Sequence, residues 1–414
     1  MTLTYGRDIV SFEKHKDFDT NSIQAKERND EMMTTSLEKN DTIELNSDQV
    51  RNAAIEVAKT QFKITINGYR YTPNEIWDTL LYASASNRSI RYTCMNLEGV
   101  PSYNLLYTYL KEDVLGGLTL EEIEKRCNDM ITSALPPRLD MRRQKVAIDL
   151  VLIPYYGDEQ TEEIRRSQAK RSTTKFFCYA TAYLIRKGKR VTLSFTFVRP
   201  SDTLSDVLER VLQRVSALGV RIKRLYLDRE FAIVDIIKYL KEQPYVSVVA
   251  TPKKGKELKS LLSGKKSIKT IYTMKSQDNG SVEFPLWIAC RYSKGKNGKH
   301  GVKMLPYAVI GDCRSGVLDI SDEYERRFGI ESSYRLMNQA RAKTSSTNAA
   351  FRLLLVGIAL MLVNIWVYLK WFALLLSRSR GSGFEESSFP LALFCDFLCE
   401  AVRKDYGFRS SIKL

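Results

Sequence analysis

The stretch KVAIDLVLIPYY, residues 145–156, has the composition of a buried β-strand with one carboxylate in its middle. Its β-branched and aliphatic residues are typical of strands, and a nearly continuous apolar run indicates burial on both faces. Asp149 interrupts that run. A carboxylate inside an apolar strand costs free energy unless it is paired, hydrogen-bonded or bound to a metal ion. Asp149 is therefore either bonded to a neighbouring Arg or Lys or part of a functional site.

The segments that follow predict a mixed α/β sheet. Apolar runs and amphipathic periods alternate in the order strand, strand, helix, strand, helix, strand. These elements are KFFCYATAYLI (175–185), KRVTLSFTFV (189–198), TLSDVLERVLQRVSALG (203–219), IKRLYLDREF (222–231), AIVDIIKYLKEQ (232–243) and YVSVVATP (245–252). A second aspartate, Asp228, ends the strand RLYLD, although a turn residue at a strand end is a common alternative.

The segment YERRFGIESSYRLMN, residues 324–338, predicts one helix with a charged face. At roughly 100° per residue, five side chains lie within about 40° of one line. They are Tyr324, Arg327, Glu331, Arg335 and Asn338. A solvated charged face is the usual explanation of such a pattern. Two upstream strand aspartates favour a functional explanation instead.

With these residues the chain resembles the insertion-sequence transposases of the DDE class that carry the Tyr-x-x-Arg-x-x-x-Glu signature, here Tyr324, Arg327 and Glu331. The resemblance covers residues 145–370. It implies a ribonuclease-H-like core with Asp149 on the first strand, Asp228 after the fourth strand and Glu331 on a following helix. It also implies a β-rich insertion between Asp228 and Glu331, which are 103 positions apart.

The resemblance implies that Asp149, Asp228 and Glu331 are catalytic and hold two Mg²⁺ or Mn²⁺ ions. Carboxylate oxygens suit these ions, and a pair of them supports in-line phosphoryl transfer. Cleavage would free a 3′-hydroxyl at a transposon end, and this hydroxyl would then attack target DNA. The signature usually continues to a Lys seven positions after the Glu, where this chain has Asn338. We hypothesise that Arg335 takes over the phosphate contact of that Lys.

Charge and composition indicate a polyanionic partner. The net charge is +16, and since residues 1–50 hold 11 acidic and 6 basic side chains, the rest of the chain carries about +21. The basic runs 165–175, 252–269 and 291–299 are predicted to be loops that neutralise phosphates. Trp287 could stack an unpaired base, with a buried strand position as the alternative.

A helix-turn-helix is predicted near residues 90–114, with Ser102 capping a second helix whose inner face holds Leu105, Leu106, Tyr109 and Leu110. A plain helical hairpin is an equal alternative to a DNA reader. The residues of the whole chain predicted to contact DNA are Tyr324, Arg327, Arg335, Asn338, Trp287, Lys253, Lys254, Arg165, Arg166, Tyr103, Asn104, Tyr107 and Lys111.

The predicted fold class is α/β: a ribonuclease-H-like mixed sheet flanked by helices, with a β-rich insertion and a helical N-terminal domain. The predicted divisions are an acidic leader at 1–48, a helical DNA-binding domain at 50–140, a core at 145–252 and 311–380, an insertion at 253–310 and a helical tail at 384–414. Residues 353–369 carry 17 uncharged positions, which fits a helix buried in the core or a membrane span.

The remaining patterns exclude other chemistries. Seven scattered cysteines and two histidines predict reduced thiols and no zinc site, and the phosphate-binding loop of nucleotide hydrolases is missing from the sequence. The expected partner is double-stranded DNA, without a nucleotide cofactor, in a homodimer that pairs two transposon ends. The expected location is the cytoplasm, on the nucleoid. The alternatives are a ribonuclease-H-like nuclease without strand transfer and a DNA-binding protein with an inactive core.

Overall fold

The computed structural model describes residues 45–64, 70–136, 139–158, 163–186, 190–294, 300–327, 329–379 and 385–411. For a few of these, Glu331 among them, only the backbone is described. Nearly all of the predicted acidic leader lies outside the described residues. The helices before the sheet are α1 (Ser47–Gln61), α2 (Pro73–Ala85), α3 (Ile90–Asn96), α4 (Tyr103–Tyr109), which a turn of π-helix extends over Leu110–Val114, and α5 (Leu120–Ser133).

A mixed β-sheet with helices on both faces follows. Its strands are β1 (Gln144–Tyr155), β2 (Ile164–Lys170), β3 (Thr173–Leu184), β4 (Thr192–Val198), β5 (Ile222–Leu227), β6 (Val246–Ala250), β7 (Ile268–Ser276), β8 (Gly280–Lys294) and β9 (His300–Ile310). The helices within and after it are α6 (Leu204–Ala217), α7 (Val234–Lys241), α8 (Lys256–Ser263), α9 (Val317–Arg327), α10 (Gly329–Gln339), α11 (Ala349–Ser379) and α12 (Leu391–Tyr406).

The described strands form one sheet of nine strands. Its order is β2-β3-β1-β5-β6-β9-β8-β7, and β4 pairs with β3 beside β2. β1, β5 and β6 run parallel, and the other pairs are antiparallel. The three strands of the predicted insertion therefore extend the central sheet through the β6–β9 pair. This sheet and its helices confirm the predicted mixed α/β class.

The sequence missed strand β2. The run that begins at Arg165 was predicted to be a loop, but β2 pairs antiparallel with β3 and the two form a hairpin. Its side chains are mostly charged or polar, so the sequence has no strand pattern there. An edge strand open to solvent does not need alternating apolar residues. The second basic run was also more ordered than predicted, since it contains α8 and the start of β7. Part of the third run, residues 295–299, lies outside the described residues.

The segment predicted to be one helix, residues 324–338, is helical on both sides of residue 328. Helix α9 extends to Arg327 and helix α10 begins at Gly329. Residue 328 lies outside the described residues, so the single helical face shared by Tyr324, Arg327, Glu331, Arg335 and Asn338 stays a prediction.

The long apolar helix α11 lies inside the protein. Its segment Ala349–Leu375 is long and apolar enough to cross a membrane, with a mean hydropathy of 2.2, yet 89% of its most apolar window is buried by the rest of the chain. Together with α1, α2, α5 and α12 it forms one large apolar cluster against β1, β3 and β4. This burial is what the buried-helix interpretation of residues 353–369 predicts.

The C-terminal helix packs on the N-terminal helices. Arg51 of α1 pairs with Asp78 of α2 (2.6 Å) and with Asp405 of α12, while the Tyr406 hydroxyl donates to Asp78 (2.7 Å). Asp78 is fully buried, so each of these bonds offsets the cost of removing its charge from water. The tail thus completes the hydrophobic cluster of the N-terminal helices.

Helical side chains satisfy the outer edge of β4. Asn128 of α5 accepts from the Phe195 amide (2.9 Å) and donates to the Phe195 carbonyl (2.8 Å). Asn364 of α11 does the same at Thr192, with distances of 3.0 and 2.9 Å. Glu124 accepts from the Phe197 amide (2.7 Å). These side chains replace a neighbouring strand and close a sheet edge that would otherwise hold unpaired buried groups.

The Asn128→Ala variant is expected to lower the free energy of unfolding by about 2 kcal/mol, because it leaves the buried Phe195 amide without a partner and leaves the Phe195 carbonyl with Arg214 alone. Urea denaturation of the metal-free protein measures the change. Lys125→Ala is the control, since Lys125 lies on the exposed side of the same helix. Equal stabilities for the two variants would show that Asn128 does not hold the strand edge.

Candidate active site

The parallel pairing of β1 and β5 brings Asp149 and Asp228 together. Ile148 lies opposite Leu227 in this pair, so the next position on each chain is an aspartate. Neighbouring strands lie about 4.8 Å apart, and equal register in a parallel pair directs equivalent side chains to the same face. The two carboxylates are 16% and 28% exposed. They lie at the point where β5 ends, in an accessible position.

Arg327 bridges the two aspartates. Its Nη1 donates to Asp149 Oδ2 (3.1 Å) and its Nη2 donates to Asp228 Oδ1 (2.9 Å), while the guanidinium is only 4% exposed. The second oxygen of Asp149 accepts from the Leu150 amide (2.8 Å). One buried cation thus faces two carboxylates. The sequence left open that Asp149 is bonded to an Arg, and this is correct. The same Arg, Arg327, also binds Asp228.

Helix α9 is anchored so that Arg327 points at the aspartates. The Tyr324 hydroxyl donates to the Leu227 carbonyl (3.0 Å), and its ring packs on Tyr307 with centroids 4.9 Å apart. The residue before Tyr324, Glu323, pairs with Lys145 (2.8 Å) and with Arg224. Tyr324 is 3% exposed. Burial of Tyr324 and Arg327 leaves their side chains unavailable to DNA in this structure, which corrects the roles predicted for them.

Helix α10 is fixed over the same face by two hydroxyl contacts. Tyr334 Oη lies 2.8 Å from Thr181 Oγ1, and the Tyr183 hydroxyl bonds to Ser333. Thr181 lies opposite Asp149 in the β1–β3 pair. Residue 331 therefore lies on the backbone about one helical turn before a side chain that reaches the neighbourhood of Asp149. No motif singled out Thr181 or Tyr334, because only the sheet register brings them beside the aspartate.

Asp149 is electrostatically unfavourable in its ionised form. Burial raises its pKa to about 6, the negative charge of Asp228 contributes in the same direction, and Arg327 opposes both. A perturbed carboxylate beside another carboxylate is typical of functional sites. Such a site attracts additional positive charge.

The stability of the metal-free protein is expected to fall as pH rises from about 4 to about 6. Because the pKa of folded Asp149 lies above that of the unfolded chain, its contribution is fully present below about pH 4 and is lost as pH rises to about 6, at a cost of about 3 kcal/mol. Urea denaturation at about pH 4 to 8 in EDTA measures the change. The Asp149→Asn variant should lack this component, and identical pH profiles for variant and wild type would refute the assignment.

The remaining predicted DNA contacts divide by burial. Trp287 is 6% exposed and lies under Lys269, whose Nζ is 3.6 Å from the ring centroid, so the buried alternative for this tryptophan is correct in this structure. Tyr107 is half-buried against Phe351, and Arg165 is half-buried beside Cys178. The exposed residues of the predicted set are Arg335, Asn338, Lys253, Lys254, Arg166, Tyr103, Asn104 and Lys111.

The two aspartates have the chemistry of a divalent-cation site, but the third predicted ligand is not described. Among the described side chains, no three His, Cys, Asp or Glu residues form a group that would hold a metal ion, and Glu331 is not among those side chains. Asp149 and Asp228 offer adjacent hard oxygen donors in a site of excess negative charge. These two residues fit Mg²⁺ or Mn²⁺.

Comparisons with known proteins show the fold. No protein-family model matches the chain, and no curated protein matches it significantly. Among solved structures, the chain is similar to the piggyBac transposase in a synaptic complex with hairpin DNA, determined by cryo-EM. The TM-score is 0.53 at 13% identity, over 91% of this chain and 80% of that chain. The chain therefore has a transposase-like fold over most of its length.

Proposed function

We propose that this chain is a DNA transposase that cuts transposon ends by metal-dependent hydrolysis and joins the 3′-hydroxyl ends to target DNA. The observation that carries the proposal is the delivery of Asp149 and Asp228, side by side, from the parallel pair β1–β5. The similar fold of a transposase bound to hairpin DNA supports the same substrate class. The positive charge of the chain fits that substrate as well.

A ribonuclease-H-like core is part of the proposal. When β2 is set apart as half of an edge hairpin, Asp149 lies on the first strand and Asp228 follows the fourth of the remaining strands. Residue 331 lies on a helix that contacts the same face of the sheet. This arrangement supports the DDE assignment of Asp149, Asp228 and Glu331 as metal ligands, with the signature Tyr324 and Arg327 as positioning residues.

Mg²⁺ or Mn²⁺ held by these carboxylates would activate the attacking oxygen and stabilise the leaving oxygen of an in-line displacement. The chain itself supplies the geometry. Arg327 holds the carboxylates of the two aspartates side by side, and its buried positive charge compensates their negative charges. Arg335, exposed on α10, is the proposed contact to the DNA phosphate beside the site. Its role replaces that of the Lys absent at Asn338.

The helical region before the sheet is the proposed reader of transposon ends. Ser102 caps α4 by accepting from the Leu105 amide (3.4 Å), as predicted, and Tyr103, Asn104 and Lys111 lie exposed on one side of this segment. Pairing of two ends requires at least two copies of the active site, so a homodimer is proposed for the active complex. A nucleoid-bound, cytoplasmic location would follow from this activity.

Incubation of the purified protein with duplex DNA that contains the transposon ends, a target plasmid and Mg²⁺ tests the proposal. We expect nicked or cut ends and covalently joined products on a denaturing gel. Cutting without joined products would indicate the nuclease alternative. DNA binding without any metal-dependent cutting would indicate the inactive-core alternative.

A further inference from the structure

The β2–β3 hairpin is a basic ribbon at the edge of the sheet. From Ile164 to Lys175 the sequence IRRSQAKRSTTK holds five Arg or Lys residues and no acidic residue. The side chains of Arg166, Lys170 and Arg171 are exposed. The two strands pair from Phe177 out to the turn, where Lys170 lies opposite Thr173.

The turn at the tip of this ribbon is strained. Its two central residues, Arg171 and Ser172, have φ values of 51° and 63°. Two-residue turns of this handedness favour Asn or Gly, because the Cβ atom of a larger residue in the left-handed region comes too close to the following carbonyl oxygen. An arginine at such a position adds charge at a conformational cost, which points to a role outside the fold.

The tip is also held in a fixed direction. The Tyr156 hydroxyl donates to the Arg171 carbonyl (3.0 Å), and the Thr173 hydroxyl donates to the Tyr155 carbonyl (2.7 Å). Lys175 Nζ donates to the Gly157 carbonyl (2.9 Å). These bonds tie the hairpin to the end of β1, the strand that carries Asp149. A tethered ribbon loses little conformational entropy when it binds a ligand.

From this geometry we infer that the hairpin is a DNA-binding ribbon that lies in the major groove of the bound duplex, with Arg166, Lys170 and Arg171 on the phosphates. A two-stranded ribbon fits the width of that groove. In the β1–β3 pair Asp149 lies opposite Thr181, and Arg171 at the tip is ten residues from Thr181, or about 33 Å along the strand. For a duplex lying along β1, the tip meets DNA roughly ten base pairs from the cleaved phosphate. The inference rests on the proposed function for its substrate.

The salt dependence of binding to a 30-base-pair end duplex tests the ribbon. Arg171→Asn keeps a residue suited to the turn and removes one cation. We expect about tenfold weaker binding at 0.1 M salt and a slope of log K against log [salt] that is less steep by about 0.9. The melting temperature should stay equal or rise.

Two control variants isolate the effect. Ser172→Gly relieves the turn and keeps every cation, so its slope should equal that of the wild type. Arg142→Gln removes an exposed cation just before β1, at the opposite end of that strand, and should also leave the slope unchanged. If Arg171→Asn lowers the melting temperature, Lys170→Gln replaces it, since Lys170 lies outside the two central turn positions. Wild-type slopes for Arg171→Asn and Lys170→Gln, or an equal change for Arg142→Gln, overturn the inference.

Hydroxyl-radical footprinting separates this inference from the proposed function. The wild type should protect a site about ten base pairs from the cut, and Arg171→Asn should lose that protection. If the protein cuts and joins DNA but Arg171→Asn has the same footprint and the same salt slope as the wild type, only the inference about the ribbon is wrong. If protection depends on Arg171 but Mg²⁺ produces no cutting, only the proposed chemistry is wrong.

Discussion

Replacing Asp149, Asp228 or Glu331 by Ala is expected to reduce Mg²⁺-dependent cleavage and strand transfer by about a thousandfold or more, while DNA binding stays largely intact. The physical reason is that the carboxylates hold metal ions rather than phosphates, so their loss removes stabilisation of the transition state. Single-turnover cleavage of end DNA gives the rate, and a filter-binding assay gives the affinity.

Glu325→Ala is the matched control, because Glu325 is an exposed carboxylate of the same segment as Arg327. Its cleavage rate should stay within a factor of about two, as is usual for an exposed side chain away from the site. A variant of the proposed ligands that keeps more than a tenth of the wild-type rate would remove that residue from the site. The result for Glu331 is the most informative, because its assignment depends on the sequence signature and on the backbone of α10.

Arg327→Met is expected to lower the free energy of unfolding by about 3 kcal/mol in EDTA. The change leaves Asp149 and Asp228 adjacent and partly buried without a compensating cation, and breaking such a pair from one side is strongly destabilising. A divalent cation at the carboxylates would restore part of the loss. Mn²⁺ should therefore raise the melting temperature of this variant more than that of the wild type.

Arg326→Met provides the control, since Arg326 is the exposed neighbour on α9. Its stability and its response to Mn²⁺ should resemble those of the wild type. A destabilised Arg327→Met variant that gains nothing from Mn²⁺ would mean that the aspartates serve a structural ion pair. A variant as stable as wild type in EDTA would mean that Arg327 does not compensate the two charges.

The structure gives a physical meaning to the spacing of Tyr324 and Arg327. These residues are three apart on α9, so they share one side of the helix. Tyr324 bonds to the carbonyl of Leu227 and Arg327 bonds to the carboxylate of Asp228, which are consecutive positions at the end of β5. The Arg327 guanidinium also lies 4.9 Å from the centre of the Tyr324 ring. The pair aligns the helix with the strand end and positions the aspartates.

Local sequence determined the elements with strong periodicity. The apolar run around Asp149, the strand that ends at Asp228 and the amphipathic helix 204–217 all lie where residue pattern alone placed them. Such elements are recognisable because burial on one or both faces imposes a period of 2 or 3.6 on the apolar residues. The capping residue Ser102 was also identifiable, since its hydrogen bond is local.

Tertiary structure alone decided which charged residues meet. Arg327 is 178 positions from Asp149 and 99 from Asp228, and only the β1–β5 register and the anchoring of α9 join the three. A helix pattern placed Arg327 on a charged face open to DNA, because sequence spacing cannot distinguish a solvated face from one packed on a sheet. Strand β2 could not be predicted for a related reason. A strand at a sheet edge buries little surface, so its sequence does not need apolar residues at alternate positions.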